Sequence, residues 1–147
     1  LERVDQLANS TGDSITFRGH TGKSLLGITG GILRAELLRS DGKNAEAISA
    51  LENAVTLEDA LRYDEPEPLP FTPRHWLGAA LIDANRAVDA EKVYRADLEK
   101  HPHNGWSLYG LEQSLRVQNK TAAADRVHQE FVTAWARSDT MLRGSRF

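Results

Sequence analysis

Gly22-Lys23-Ser24, followed by the apolar run 25–33, is how a phosphate-binding loop ends. Such a loop also needs a glycine five residues before Gly22, so that successive backbone N–H groups curl around the phosphates. That place is held by Phe17, and Gly19 comes two residues too late. No later apolar strand ends in an acidic residue to hold magnesium, and one short β-prone stretch, 14–17, cannot make a parallel sheet. The expectation is therefore an irregular Gly/Ser/Thr linker. A nucleotide-dependent enzyme is the remote alternative, and it requires protection by ATP and magnesium that Lys23→Ala abolishes.

The remaining chemistry-bearing residues are scattered. Of five histidines, only His101 and His103 are close, and a spacing of two across Pro102 is not the i, i+4 pair of a helical metal site. Histidines after a helix end also suit the helix dipole. Asp64, Glu65 and Glu67 beside Tyr63 offer paired carboxylates. They alternate with prolines, which reads as a solvated linker. Trp76, Trp106 and Trp135 read as packing residues, and no local motif assembles a nucleophile with a base. No catalytic residue, metal or cofactor is expected.

Composition narrows the class further. The chain has 147 residues, one domain's worth, with 40% hydrophobic and 27% charged residues, as in a globular protein. A net charge of −3 and the absence of a basic stripe argue against nucleic acid. There is no cysteine, so thiol chemistry and disulfides are excluded while the compartment stays open. The apolar run 25–33 is too short and glycine-rich to span a bilayer. Residues 1–8 carry apolar side chains at Leu1, Val4, Leu7 and Ala8, the pattern of an amphipathic helix end, and there is no initiator Met. The expectation is a fragment of a longer helical protein.

What must position any site is a repeat. "LLRSDGKNAEAISALENAV", "LIDANRAVDAEKVYRADLE" and "LRVQNKTAAADRVHQEFVT" each read as a helix end, a polar turn and a second helix. Their alanines Ala47, Ala90 and Ala124 are 43 and 34 residues apart. The middle copy places Leu77-Gly78, Leu81, Ala90, Tyr94 and Pro102 in the order that resembles the tetratricopeptide repeat. The last copy keeps Leu111, Leu115 and Ala124 but has Glu112 and His128 at atypical places, and the first keeps Ala35, Leu38, Ala47, Leu51 and Ala54. Residues 73–147, ending in "SRF", further resemble the C-terminal region of large bacterial tetratricopeptide-repeat proteins of uncharacterised role. That likeness implies Phe147 is a natural end.

The resemblance implies an all-α solenoid of about three antiparallel helix pairs, with a helix end and linker over 1–26. The repeats cover 27–62, 71–102 and 105–138, and a tail 139–147 follows. The helices fall at 27–39 with 44–61, 73–84 with 88–100, and 105–118 with 121–138. Four of the five prolines, at 66, 68, 70 and 73, stiffen the connection between the first two copies. Places two, five, nine, twelve and thirteen of each copy would line a concave face. They are Thr29, Ile32, Glu36, Arg39 and Ser40, then Thr72, His75, Ala79, Ile82 and Asp83, then Trp106, Tyr109, Gln113, Arg116 and Val117. The partner-binding candidates are Glu36, Arg39, His75, Asp83, Trp106, Tyr109, Gln113 and Arg116. The family's carboxylate clamp, basic at place five with Asn at nine, is missing from all three copies. The expected role is a non-catalytic scaffold for a peptide or protein segment, with no contact to nucleic acid or membrane. A structural cap or self-associating module is the alternative.

Overall fold

The computed structural model describes residues 1–12 and 14–146, so Phe147 and its expected role as the chain end lie outside the described residues. The chain divides into two compact units, Leu1–Pro73 and Arg74–Phe147. Among the described residues the elements in chain order are α1 (Glu2–Ser10), β1 (Thr16–Phe17), β2 (His20–Thr21), α2 (Gly22–Ser40), α3 (Asn44–Asp59), α4 (Pro73–Asp83), α5 (Ala87–Lys100), α6 (Gly105–Val117) and α7 (Thr121–Ala134). The described residues are all-α apart from one two-stranded hairpin.

Three helix pairs, α2/α3, α4/α5 and α6/α7, turn in the same way. The second residue after each first helix adopts a left-handed conformation: Gly42 at φ 76°, Asn85 at 59° and Asn119 at 59°. Glycine and asparagine tolerate that region best. The next residue then donates its N–H to a carbonyl five positions back, Lys43 to Leu38, Arg86 to Leu81 and Lys120 to Leu115, at 2.8–2.9 Å. This is the Schellman closure of a helix C-terminus, and it satisfies carbonyls that would otherwise lack partners. Ala47, Ala90 and Ala124, whose spacing first marked the repeat, are each fully buried.

Two departures from the sequence reading concern unit one. The stretch 15–21 is an antiparallel hairpin, not an irregular linker, with Thr16 opposite Thr21 and Phe17 opposite His20. Its central residues Arg18 and Gly19 both have positive φ, 52° and 85°, which is the turn geometry that matches strand twist. Thr21 then caps α2 by accepting from the Ser24 N–H at 3.2 Å, so that helix begins at Gly22, five residues earlier than expected. Nor is α1 set apart from the first pair. Val4 packs over Gly30 of α2, and Arg34 reaches Asp5 at 2.6 Å. At the other end of the chain, α7 stops at Ala134 rather than 138.

The acidic knot before the prolines is also engaged rather than solvated. Asp64 binds Arg18 at 2.7 Å and lies 3.5 Å from the buried His20, while Arg18 also donates to the Glu65 carbonyl. Arg62 donates to the Gly19 carbonyl at 3.2 Å. The segment following α3 therefore clasps the hairpin. Ile28, Ala35, Ala47, Leu51 and Ala54 form the core of this unit, where Gly31 lets α2 approach Ala54 of α3 closely.

Unit two is organised around Tyr94. Its ring lies between Gly78 of α4 and Gly110 of α6, and a Cβ at either glycine would overlap it. Burying a tyrosine ring this fully stabilises by roughly 4–6 kcal/mol. Leu77, Leu81, Ala90, Leu108, Leu111 and Leu115 complete the core. Alanine is the better helix former by about 1 kcal/mol, so an open site would gain from Gly→Ala. Here the wedged ring has nowhere to go. Gly110→Ala and Gly78→Ala should each lower the unfolding free energy by a net ~2 kcal/mol in urea titrations. A neutral or stabilising result at both sites would refute the wedge.

Candidate peptide-binding groove

The groove is built from α4 and α6, and local chemistry sets both helices. Pro73 occupies the first position of α4, where a fixed φ suits a helix and the missing N–H has no partner to lose. Asn104 caps α6, its side chain accepting from the N–H groups of Trp106 and Ser107 at 3.0 and 3.2 Å. That cap fixes the phase of α6, and with it which side chains face α4.

Six of the expected concave-face positions converge as a result. Ala79, Ile82 and Asp83 of α4 and Tyr109, Gln113 and Val117 of α6 line one cavity of about 260 Å³. The other wall is the chain's own segment after α7. Trp135 donates its indole N–H to the Thr140 carbonyl at 2.7 Å, which sends the chain back across the unit. Arg143, Gly144, Ser145 and Arg146 then line the cavity. Ser145 is buried, accepting from the Tyr94 hydroxyl at 2.5 Å and donating to the His75 carbonyl at 3.0 Å.

The other candidates fall elsewhere. Trp106 is half-buried in an aromatic stack, 6.0 Å from the His75 ring and edge-on to Trp135 at 5.0 Å. Arg116 is committed to α7 and its own helix, pairing with Asp125 at 3.2 Å and Glu112 at 2.8 Å. Glu36 and Arg39 belong to unit one, where they lie 3.7 Å apart on α2. His75 is buried and does not reach the groove surface by its ring.

His75 belongs instead to a polar cluster that the sequence reading missed. Asp97 of α5, fully buried, accepts from Ser107 Oγ at 2.5 Å and from His101 Nδ1 at 2.8 Å, with His75 Nε2 3.5 Å away. These are the residue types of a serine-hydrolase triad in an order that cannot work. A nucleophile must hydrogen-bond the histidine that takes its proton, and here the serine donates to the carboxylate directly. The buried Ser107 also has no exposure to a substrate. The cluster ties α4, α5 and α6 together through one carboxylate. Asn104, His101 and Ser107 around a helix junction were the available signal, since a buried Asp requires several donors.

A second carboxylate fastens the far end of α5. Glu91 accepts from Lys120 at 2.7 Å, from Gln118 at 2.9 Å and from Arg95, and Gln118 also donates to the Ala87 carbonyl. Lys120 foremost, with Gln118 and Arg95, outweighs burial and holds Glu91 at about 2 instead of 4.5. At Asp97 burial pulls the carboxyl upward, but the nearby His75 ring and the donors Ser107 and His101 more than offset it and leave the group below its ordinary 3.8.

No three His, Asp or Glu side chains among the described residues are grouped to hold a metal ion, and no described helix is long and apolar enough to cross a membrane. No protein-family profile matches the chain, and no curated protein matches it significantly.

Because both carboxylates are depressed on folding, their stabilisation is complete above the unfolded values and lost as pH falls through the folded ones. Unfolding free energy should be level above about pH 5 and decline toward pH 2, with Glu91 contributing on the order of 2 kcal/mol to the fall. Glu91→Gln should remove its part of the slope in urea titrations across that range. An unchanged slope would show that Glu91 is not held low.

Proposed function

We propose that this chain is a non-catalytic protein-interaction module of the tetratricopeptide-repeat kind, binding an extended peptide along the α4–α6 face. The observation that supports it is the convergence of Asp83, Tyr109 and Gln113 on one cavity beside Ala79, Ile82 and Val117. A carboxylate, a phenol and an amide on an apolar floor can hydrogen-bond a backbone and select side chains. The buried Ser107–Asp97 pair, the nearest approach to a catalytic set, serves packing. Glu36, Arg39 and the surface of α2 would extend recognition to a second partner segment.

The structural-cap reading also has support, because Ser145 and its neighbours already cover part of the groove. The two readings part on binding. On a peptide array the parent chain should retain a restricted set of extended peptides. Asp83→Lys with Gln113→Ala should weaken those by tenfold or more while leaving the thermal midpoint within a few degrees. If the double variant binds every retained peptide as well as the parent, the groove is not the site. A concentration-dependent dimer in sedimentation with no peptide retained would favour the cap.

A further inference from the structure

The segment Arg143-Gly144-Ser145-Arg146 is a bent, non-helical stretch of chain already seated in the groove, and its contacts define what the groove accepts. We propose that it is a built-in competitor, and that the partner is a basic peptide carrying a small hydroxyl residue between arginines. This rests on the peptide-binding reading above and adds the partner's chemistry and its regulation.

Three observations carry it. Ser145 is read from both sides, by the Tyr94 hydroxyl at 2.5 Å and by the His75 carbonyl at 3.0 Å. A residue without a hydroxyl would strand the buried Tyr94 oxygen, which is a specificity penalty rather than a packing preference. Arg143, Gly144, Ser145 and Arg146 line the same cavity as Ala79, Ile82 and Val117, so the segment lies beside an apolar floor. Asp83 lines the same cavity as Arg143 and Arg146, so opposite charges flank the seated serine.

The segment belongs to no helix or strand, Met141 is 90% exposed and Arg143 is exposed, so its anchoring is concentrated toward Ser145. Between Thr140 and Arg146, Ser145 is the residue that is buried. The cavity of about 260 Å³ that remains beside it gives an incoming peptide a place to begin before the tail leaves. Intramolecular tethering raises the tail's effective concentration to roughly millimolar, so a free peptide of equal chemistry competes only when its affinity or concentration is higher.

The test uses the 147-residue chain and a fluorescent synthetic peptide of residues 139–147. Ser145→Glu places a carboxylate against the His75 carbonyl and should expel the tail. Arg146→Glu sets like charge near Asp83 and should loosen it while leaving Ser145 in place. The parent should bind the peptide at least tenfold more weakly than Ser145→Glu, with Arg146→Glu between them. The same peptide with glutamate for its serine should bind none of the three. If both variants keep their cooperative thermal transition yet bind the peptide no better than the parent, the competitor idea is overturned. Loss of that transition in both would make the tail part of the core and overturn it equally. A parent dimer that Ser145→Glu abolishes would assign the groove to a second copy and overturn it in that direction. Each of these leaves the array result at Asp83 and Gln113 to decide the wider reading.

Discussion

Unit two depends on a single steric condition: one tyrosine ring can lie between two helices because each has a glycine where the ring passes. Tyr94 fixes the separation of α4 and α6 through Gly78 and Gly110, and so it fixes the width of the groove that their outer faces make. The hydroxyl carries the same constraint to the tail, since a buried phenol must find a partner and finds Ser145. Packing, groove width and tail position are therefore consequences of one side chain.

Polar chemistry supplies what that wedge cannot. A ring between glycines sets distance but not rotation. Asp97, held by Ser107 and His101 beside His75, fixes the angular relation of three helices. Glu91 does the same at the opposite end of α5 through Lys120 and Gln118. A buried carboxylate with several donors is costly if any donor is lost, so the acid sensitivity of the fold resides where the helices must keep their phase.

Much of this was legible in the residues and some was not. The repeat spacing of Ala47, Ala90 and Ala124 located three helix pairs, because small residues at close crossings leave a periodic trace. The hairpin around Arg18-Gly19 left almost none: two residues per strand are too few for alternation to register, and its support comes from Asp64 and Arg62 more than forty residues away. Repeat register singled out Asp83, Tyr109 and Gln113, which line one cavity, and also Arg116, which instead pairs with Glu112 and Asp125. Nothing local marks Ser145 as buried, since its partners are 51 and 70 residues distant in sequence.

Those separations have a kinetic meaning. Helix pairs joined by three-residue turns acquire their contacts locally and on fast timescales. The bond from Ser145 to the His75 carbonyl closes a loop of the whole unit, and its closure entropy must be met before the contact returns anything. Of the unit's contacts described above, this one spans the most sequence, so its formation depends on helices that the local turns have already set.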